Sequence, residues 1–142
     1  MDDCIFCKII WHTGAASIVL EDDVSLAFMD TNPLAPGHLL VVPKQHCAYL
    51  SELKDEIGGH LFRVAMRLNR AVRASGLRCE GVNLFLADGE AAGQEVFHVH
   101  LHLFPRFSGD TFRVEADSPL YPSRAELDST AKHIRQALNH EE

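Results

Sequence analysis

The run His98-Val99-His100-Leu101-His102-Leu103-Phe104 alternates an aromatic or histidine with an aliphatic residue. Successive side chains of a β-strand point to opposite faces, so this period of two fits a strand; a helix would scatter the histidines around its circumference. Val99, Leu101 and Leu103 then anchor one face in a core, and His98, His100, His102 and Phe104 share the other. Alternate residues stand roughly 6.6 Å apart along a strand, so His98 and His102 are too far apart to share one tetrahedral ion easily. The chain must therefore build a sheet with one apolar face and one face that carries imidazoles.

The rest of the sequence supplies the other elements. Cys4–Trp11 forms a short amphipathic start. Ser17–Leu20, Leu26–Met29 and His38–Val42 are brief apolar runs separated by Asp22-Asp23 and Asn32-Pro33, as expected of antiparallel strands. Pro36-Gly37 opens the third run and Pro43 closes it, because proline has no N–H to give a sheet ladder. Leu53, Ile57, Leu61, Val64 or Ala65, Leu68 and Val72 recur at helical spacing up to a stop at Gly76. Gly81–Ala87 and Glu95–Phe104 read as two more strands. Ser123-Arg124-Ala125-Glu126 has the form of a capping box, and Leu127, Ala131, Ile134 and Leu138 make one face of a last helix. Short strands around one inserted long helix predict an α+β fold, with an antiparallel sheet covered on one face and the other left for chemistry. At 142 residues a single domain over 1–142 is expected, with its core at 4–106 and a C-terminal tail and helix over 107–142.

The formal charge of −7 excludes a general grip on nucleic acid or anionic membrane, so any phosphate bound is a small one held locally. The acidic opening Met1-Asp2-Asp3 differs from a signal peptide, and no run is apolar enough to span a bilayer. A cytoplasmic location is expected. In that compartment Cys4, Cys7, Cys47 and Cys79 are expected reduced or metal-bound rather than paired.

Two chemistries suit these residues. A neutral imidazole can attack phosphorus and split one displacement into two, if one ring nitrogen is held by a backbone carbonyl and the other is left bare. Gly89 and Gly93, just before the histidines, let backbone amides cradle a small anion. Separately, Cys4-Ile5-Phe6-Cys7 has the spacing of half a zinc site. The remaining ligands would come from elsewhere, with His46 and His98 as candidates. If His98 closes such a site, the metal is structural and His100 stays free to act as nucleophile.

CIFCKII, EDD, LAFMD, PLAPGHLLVVPKQH and AGQEVFHVHLHLFPR together resemble the histidine triad (HIT) family of nucleotide hydrolases and transferases, over nearly the whole chain to about Pro105. The resemblance is to its zinc-containing bacterial-type members, akin to the Hint and Fhit nucleotide hydrolases. It implies five antiparallel strands with a long helix, usually paired into a homodimer with one continuous sheet. It implies a purine nucleotide substrate, such as an AMP phosphoramidate or a dinucleoside polyphosphate, attacked at its α-phosphorus by His100. His102 would contact the phosphate, with His38 close behind. Asp30 would bind the ribose hydroxyls, Phe28 and Phe6 or Ile5 would line the base pocket, and Gly93, Gln94 and Glu95 would form the phosphate loop. Cys4, Cys7, His46 and His98 would hold a structural Zn2+.

The chain departs from the family pattern at Ala87, where Asn or Gln often donates to the phosphate; such a bond is worth roughly 1.5–3 kcal/mol. It departs again at Glu95, where some members carry Ser or Thr. Two competing readings are a nucleotide-binding regulatory protein with little catalysis and a metallohydrolase in which His100 and His102 hold a catalytic ion.

Overall fold

The computed structural model describes residues 3–140. Its elements are α1 (Ile5–Ile10), β1 (Ile18–Glu21), β2 (Ser25–Met29), β3 (Leu39–Pro43), α2 (Asp55–Ala74), β4 (Gly81–Phe85), β5 (Leu101–Arg106) and α3 (Arg124–Leu138), with single 3-10 turns at Leu50–Glu52 and Glu90–Ala92. The strands form one antiparallel sheet in the order β1-β2-β3-β5-β4. The α+β class with five strands follows the expectation. Two compact units divide the chain, Met1–Phe112 and Arg113–Glu142.

One face of the sheet is closed by α2. Its Leu61, Val64, Leu68 and Val72 pack with Ala27, Leu39, Val41, Val99 and Leu103. Val64 and Ala65 are both buried, so the apolar stripe is wide enough to cover the sheet. Each such fully buried aliphatic side chain contributes about 1.5–3 kcal/mol. Ser75 caps the helix and Gly76, at φ 88°, turns the chain away. The opposite face is not bare: α1 lays Phe6 and Ile9 over Leu26, Phe28, Leu40 and Val42. Beyond α1 this second face is left to His38, His100, His102 and Phe104.

Strand β5 begins at Leu101 rather than Glu95. Its ladder with β3 ends at the pair Val41↔Leu101. Lys44 N–H bonds Val24 O, just before β2, so the backbone of Pro43 faces β5. Proline has no hydrogen to offer there. Residues 98–100 lie outside the ladder, and Val99 N–H instead bonds Cys47 O at 2.8 Å. The alternation survives, since Val99 and Leu103 lie in the α2-side core and Leu101 packs against it.

The first unit runs past Arg106 to Phe112. The Arg106 guanidinium grips Asp110 at 2.7 and 2.8 Å, Asn83 Oδ1 at 2.7 Å and the Phe112 carbonyl, folding 107–112 back along the sheet end. Phe112 then stacks on Phe104 with ring centroids 4.8 Å apart. In the second unit α3 is capped by the Ser123–Glu126 box, and Leu127, Ile134 and Leu138 are exposed.

Candidate active site

Four residues from three places in the chain converge at the N-terminal end of α1. Cys4 is the N-cap and Cys7 lies one turn on; His46 follows β3 and His98 precedes β5. Cys4 Sγ lies 3.4 Å from His98 Nδ1, and Cys7 Sγ lies 3.3 Å from His46 Nδ1 and 3.7 Å from His98 Nδ1; the two Nδ1 atoms are 3.2 Å apart. A tetrahedral zinc with bonds of about 2.3 Å to sulfur and 2.0 Å to nitrogen has ligand–ligand edges of about 3.3–3.8 Å. The donor set and its spacing fit that ion.

The proton positions agree. His98 Nε2 donates to Pro43 O at 2.8 Å, which leaves the Nδ1 lone pair aimed into the cluster. Burial, the Cys4 sulfur and its charge push the Cys7 thiol up to about 11. A divalent cation among the donors would supply the counter-charge that holds both sulfurs as thiolates.

Next along the same face, His100 Nδ1 donates to the His98 carbonyl at 2.8 Å. Its Nε2 is therefore an unprotonated nitrogen, directed into a cleft of about 490 Å³. Burial drives the His100 imidazole below its ordinary pKa, against the opposing pull of its His98 hydrogen bond and of Asp30, so the ring is neutral at neutral pH. A buried, neutral imidazole with one nitrogen pinned and one bare is a competent nucleophile.

His102 and His38 form a second relay. Gly37 at φ 86° turns the chain into His38, and a Cβ there would meet Pro105 Cγ at 3.0 Å, so the turn needs glycine. Leu34 N–H donates to His38 Nδ1 at 3.1 Å. The His38 proton therefore sits on Nε2, 2.9 Å from His102 Nδ1 and 3.4 Å from Asp30 Oδ2. His102 Nδ1 accepts, which puts the His102 proton on Nε2 as a donor. Burial, then the neighbouring His100 and His38, lower His102 to about 4. Burial also lowers His38. Asp30, His38 and His102 offer three donor atoms within 4.8 Å of one another. They do not suit a cation, because His38 Nε2 already carries a proton and would have to lose it to ligate. His100 belongs to neither donor cluster among the described residues.

The cleft brings together Ile5, Phe6, Asp30, His38, Gly93, Glu95, His100 and His102. Gly93 holds φ 92° at the end of the Glu90–Ala92 turn. Two residues expected at the cleft do not line it. Phe28 is buried and braces Phe6 edge-on at 5.5 Å. The Gln94 side chain turns inward: its Oε1 accepts from Gly89 N–H at 2.8 Å, and its Nε2 donates to Ala48 O at 2.8 Å and Val96 O at 3.1 Å. Gln94 thus shapes the loop with every amide atom spent. Ala87 is buried as well and does not line the cleft. Sequence reasoning missed Thr31, Leu34, Leu40 and Phe85 as lining residues. Phe85 had a signal in principle, since β4 pairs it with His102.

Residues 13–109 match the HIT domain. An uncharacterized HIT-like protein of Borreliella burgdorferi is 44% identical over 113 residues, 79% of this chain and 81% of that protein. The adenylylsulfatase HINT3 of Arabidopsis thaliana is 39% identical over 110 residues, 77% of this chain and 55% of that protein. A zinc-bound histidine triad family protein from Mycobacterium smegmatis superposes with a TM-score of 0.77 at 35% identity, covering 99% of both chains.

Proposed function

This chain belongs to the HIT domain family, and on that premise we propose that it is a nucleotide hydrolase or transferase acting at the α-phosphate of a purine nucleoside phosphoramidate or dinucleoside polyphosphate. The single observation that carries the reading is His100: Nδ1 tied to the His98 carbonyl, Nε2 bare and facing the cleft. The named adenylylsulfatase relative supports the same class of chemistry.

In this reading the base lies against Ile5 and Phe6, with Phe28 behind, and the ribose hydroxyls meet Asp30. The α-phosphate lies between His100, His102 and the Gly93–Glu95 backbone, shaped by Gln94. His100 Nε2 forms a bond to phosphorus as the bond to the leaving group breaks; the leaving group takes the electron pair and a proton from solvent. His102 Nε2–H donates to a nonbridging oxygen as charge grows there, an arrangement worth about 10²–10³ in rate. Water then attacks the nucleotidyl-histidine: a P–O bond forms, the P–N bond to His100 breaks, and the water's proton goes to solvent.

Zinc at Cys4, Cys7, His46 and His98 supplies, when bound, a rigid crosslink between α1, the turn after β3 and the segment before β5. The β4 edge carries exposed Leu84 and Phe85 at the end of the sheet, which supports a homodimer joined there into one continuous sheet. The test is AMP release from a fluorogenic adenosine phosphoramidate and from diadenosine polyphosphates. Release by wild type that is lost in His100→Asn is expected. No release from either substrate by a protein that still binds AMP would replace this reading with that of a nucleotide-binding regulator.

A further inference from the structure

Just past the residues that match the HIT domain, 13–109, the chain folds one aromatic ring back toward the site. Phe112 stacks on Phe104 with ring centroids 4.8 Å apart. Phe104 in turn lies nearly parallel to the His102 imidazole, at an interplanar angle of 6° and a centroid distance of 5.5 Å. Phe104 is buried and lines the cleft together with His102, whereas Phe112 is not among the residues that line it. Phe112 therefore meets the site through another ring.

Packing alone does not fix Phe112. Its side chain is half-buried and borders a small cavity of about 180 Å³ shared with Leu34, Pro36 and Phe107. Arg106 supplies the hold. Its guanidinium carbon lies 4.6 Å from the Phe112 ring centroid, and its nitrogens donate to the Phe112 carbonyl, to both Asp110 carboxylate oxygens and to Asn83 Oδ1. Asn83 is the residue of β4 that pairs with Phe104, so one guanidinium ties the 107–112 turn to the strand beside Phe104. A planar fork can hold these partners together; a lysine ammonium presents no such fork.

What His102 gains is orientation. The hydrogen bond from His38 holds His102 Nδ1 at 2.9 Å, but a tether at one atom leaves the imidazole free to tilt about it. A parallel ring alongside opposes that tilt. A hydrogen-bond donor that serves a transition state loses much of its effect when it is displaced by as little as about 1 Å.

We propose that Phe112, held by Arg106, is a positioning residue for His102: acting through Phe104, it keeps the imidazole in the plane from which Nε2–H serves the phosphate. The proposal rests on the nucleotidyl-transfer reading above and adds to it a residue outside the cleft.

The test is a double-mutant cycle on AMP release from the fluorogenic adenosine phosphoramidate, with kcat and KM read separately. Phe112→Leu keeps apolar bulk but not the flat face. It is expected to lower kcat about tenfold and to leave KM within about twofold, since Phe112 does not line the cleft. In a His102→Ala background the same change is expected to lower kcat by less than about twofold, because the residue it acts through is gone. Phe112→Tyr, which keeps the ring, is expected to recover most of the loss. Arg106→Lys keeps Phe112 but not the fork, and it is expected to repeat the Phe112→Leu pattern, so the role is still tested if Phe112→Leu fails to fold. Independently of turnover, nuclear Overhauser contacts between the His102 and Phe104 rings are expected to weaken in Phe112→Leu. A loss of equal size with and without His102, or wild-type kcat in Phe112→Leu, overturns the positioning role while hydrolysis stands. Absence of AMP release by wild type removes the nucleotidyl-transfer reading, and the positioning role with it.

Discussion

Replacing His38 by phenylalanine isolates the proton arrangement of the site from its packing. The ring that lies 4.2 Å from Phe104 is kept in kind, while the bonds to Leu34 N–H and His102 Nδ1 are lost. Leu34 is 57% exposed, so its N–H finds water at little cost. His102 Nδ1 has no such relief and is left facing an apolar ring. One unsatisfied, partly buried acceptor costs about 1–3 kcal/mol, which in a domain of this size lowers Tm by roughly 4–12 °C. His102 can escape part of that cost by moving its proton to Nδ1, which strips Nε2 of the hydrogen that the proposed reaction uses at the phosphate. A hydrogen-bond preference of about 1 kcal/mol sets the tautomer, so kcat/KM is expected to fall about fivefold from this cause alone. Long-range 1H–15N correlation spectra report which imidazole nitrogen carries the proton, beside turnover and thermal unfolding. If His102 Nε2 remains protonated in His38→Phe and turnover is unchanged, His38 does not set the tautomer.

Acidification is expected to destabilise the fold. His102 titrates near 4 when folded because it is buried beside His100 and His38, and near 6.5 when unfolded. Between those values the unfolded chain binds more protons, so the contribution is whole above about pH 6.5 and gone by about pH 4, at most about 3 kcal/mol from this group. Urea midpoints that stay level from pH 7 to 4.5 would contradict it. Cys7→Ser is expected to take bound zinc from near one per chain to near none by native mass spectrometry, with a lower Tm; undiminished metal would remove the four-residue site. Light scattering at micromolar concentration is expected to give twice the chain mass, and a monomer mass would refute pairing through β4.

The period of two in 98–104 announced both the sheet and the side of it that carries the imidazoles. That parity holds even though only His102 lies within a ladder, because Val99, Leu101 and Leu103 are pulled to the α2 side. The Cys4–Cys7 spacing likewise foretold two donors on one side of a helix start, and the helical stripe of α2 was legible down to its stop at Gly76. What stayed hidden depends on distant partners. Gln94 looks like a phosphate contact in the sequence, but the carbonyl of Ala48, 46 residues away, claims its amide. Phe28 reads as a pocket wall, yet the Phe6 ring covers it from α1. The end of the ladder at Pro43 was visible; that its carbonyl would take His98 was not, since that requires knowing which strand stands beside it.

The proton on each triad histidine is fixed, directly or at one remove, by main-chain atoms: Pro43 O for His98, His98 O for His100, and Leu34 N–H acting through His38 for His102. Carbonyls and amides are common to nearly every amino acid, so genetic drift at Leu34 and in the neighbouring shell can alter side chains without reassigning any proton. Substitutions around the cleft can thus change what it binds while leaving the His100 Nε2 lone pair where it is. His38, whose side chain carries the link from Leu34 N–H to His102, is where such freedom stops.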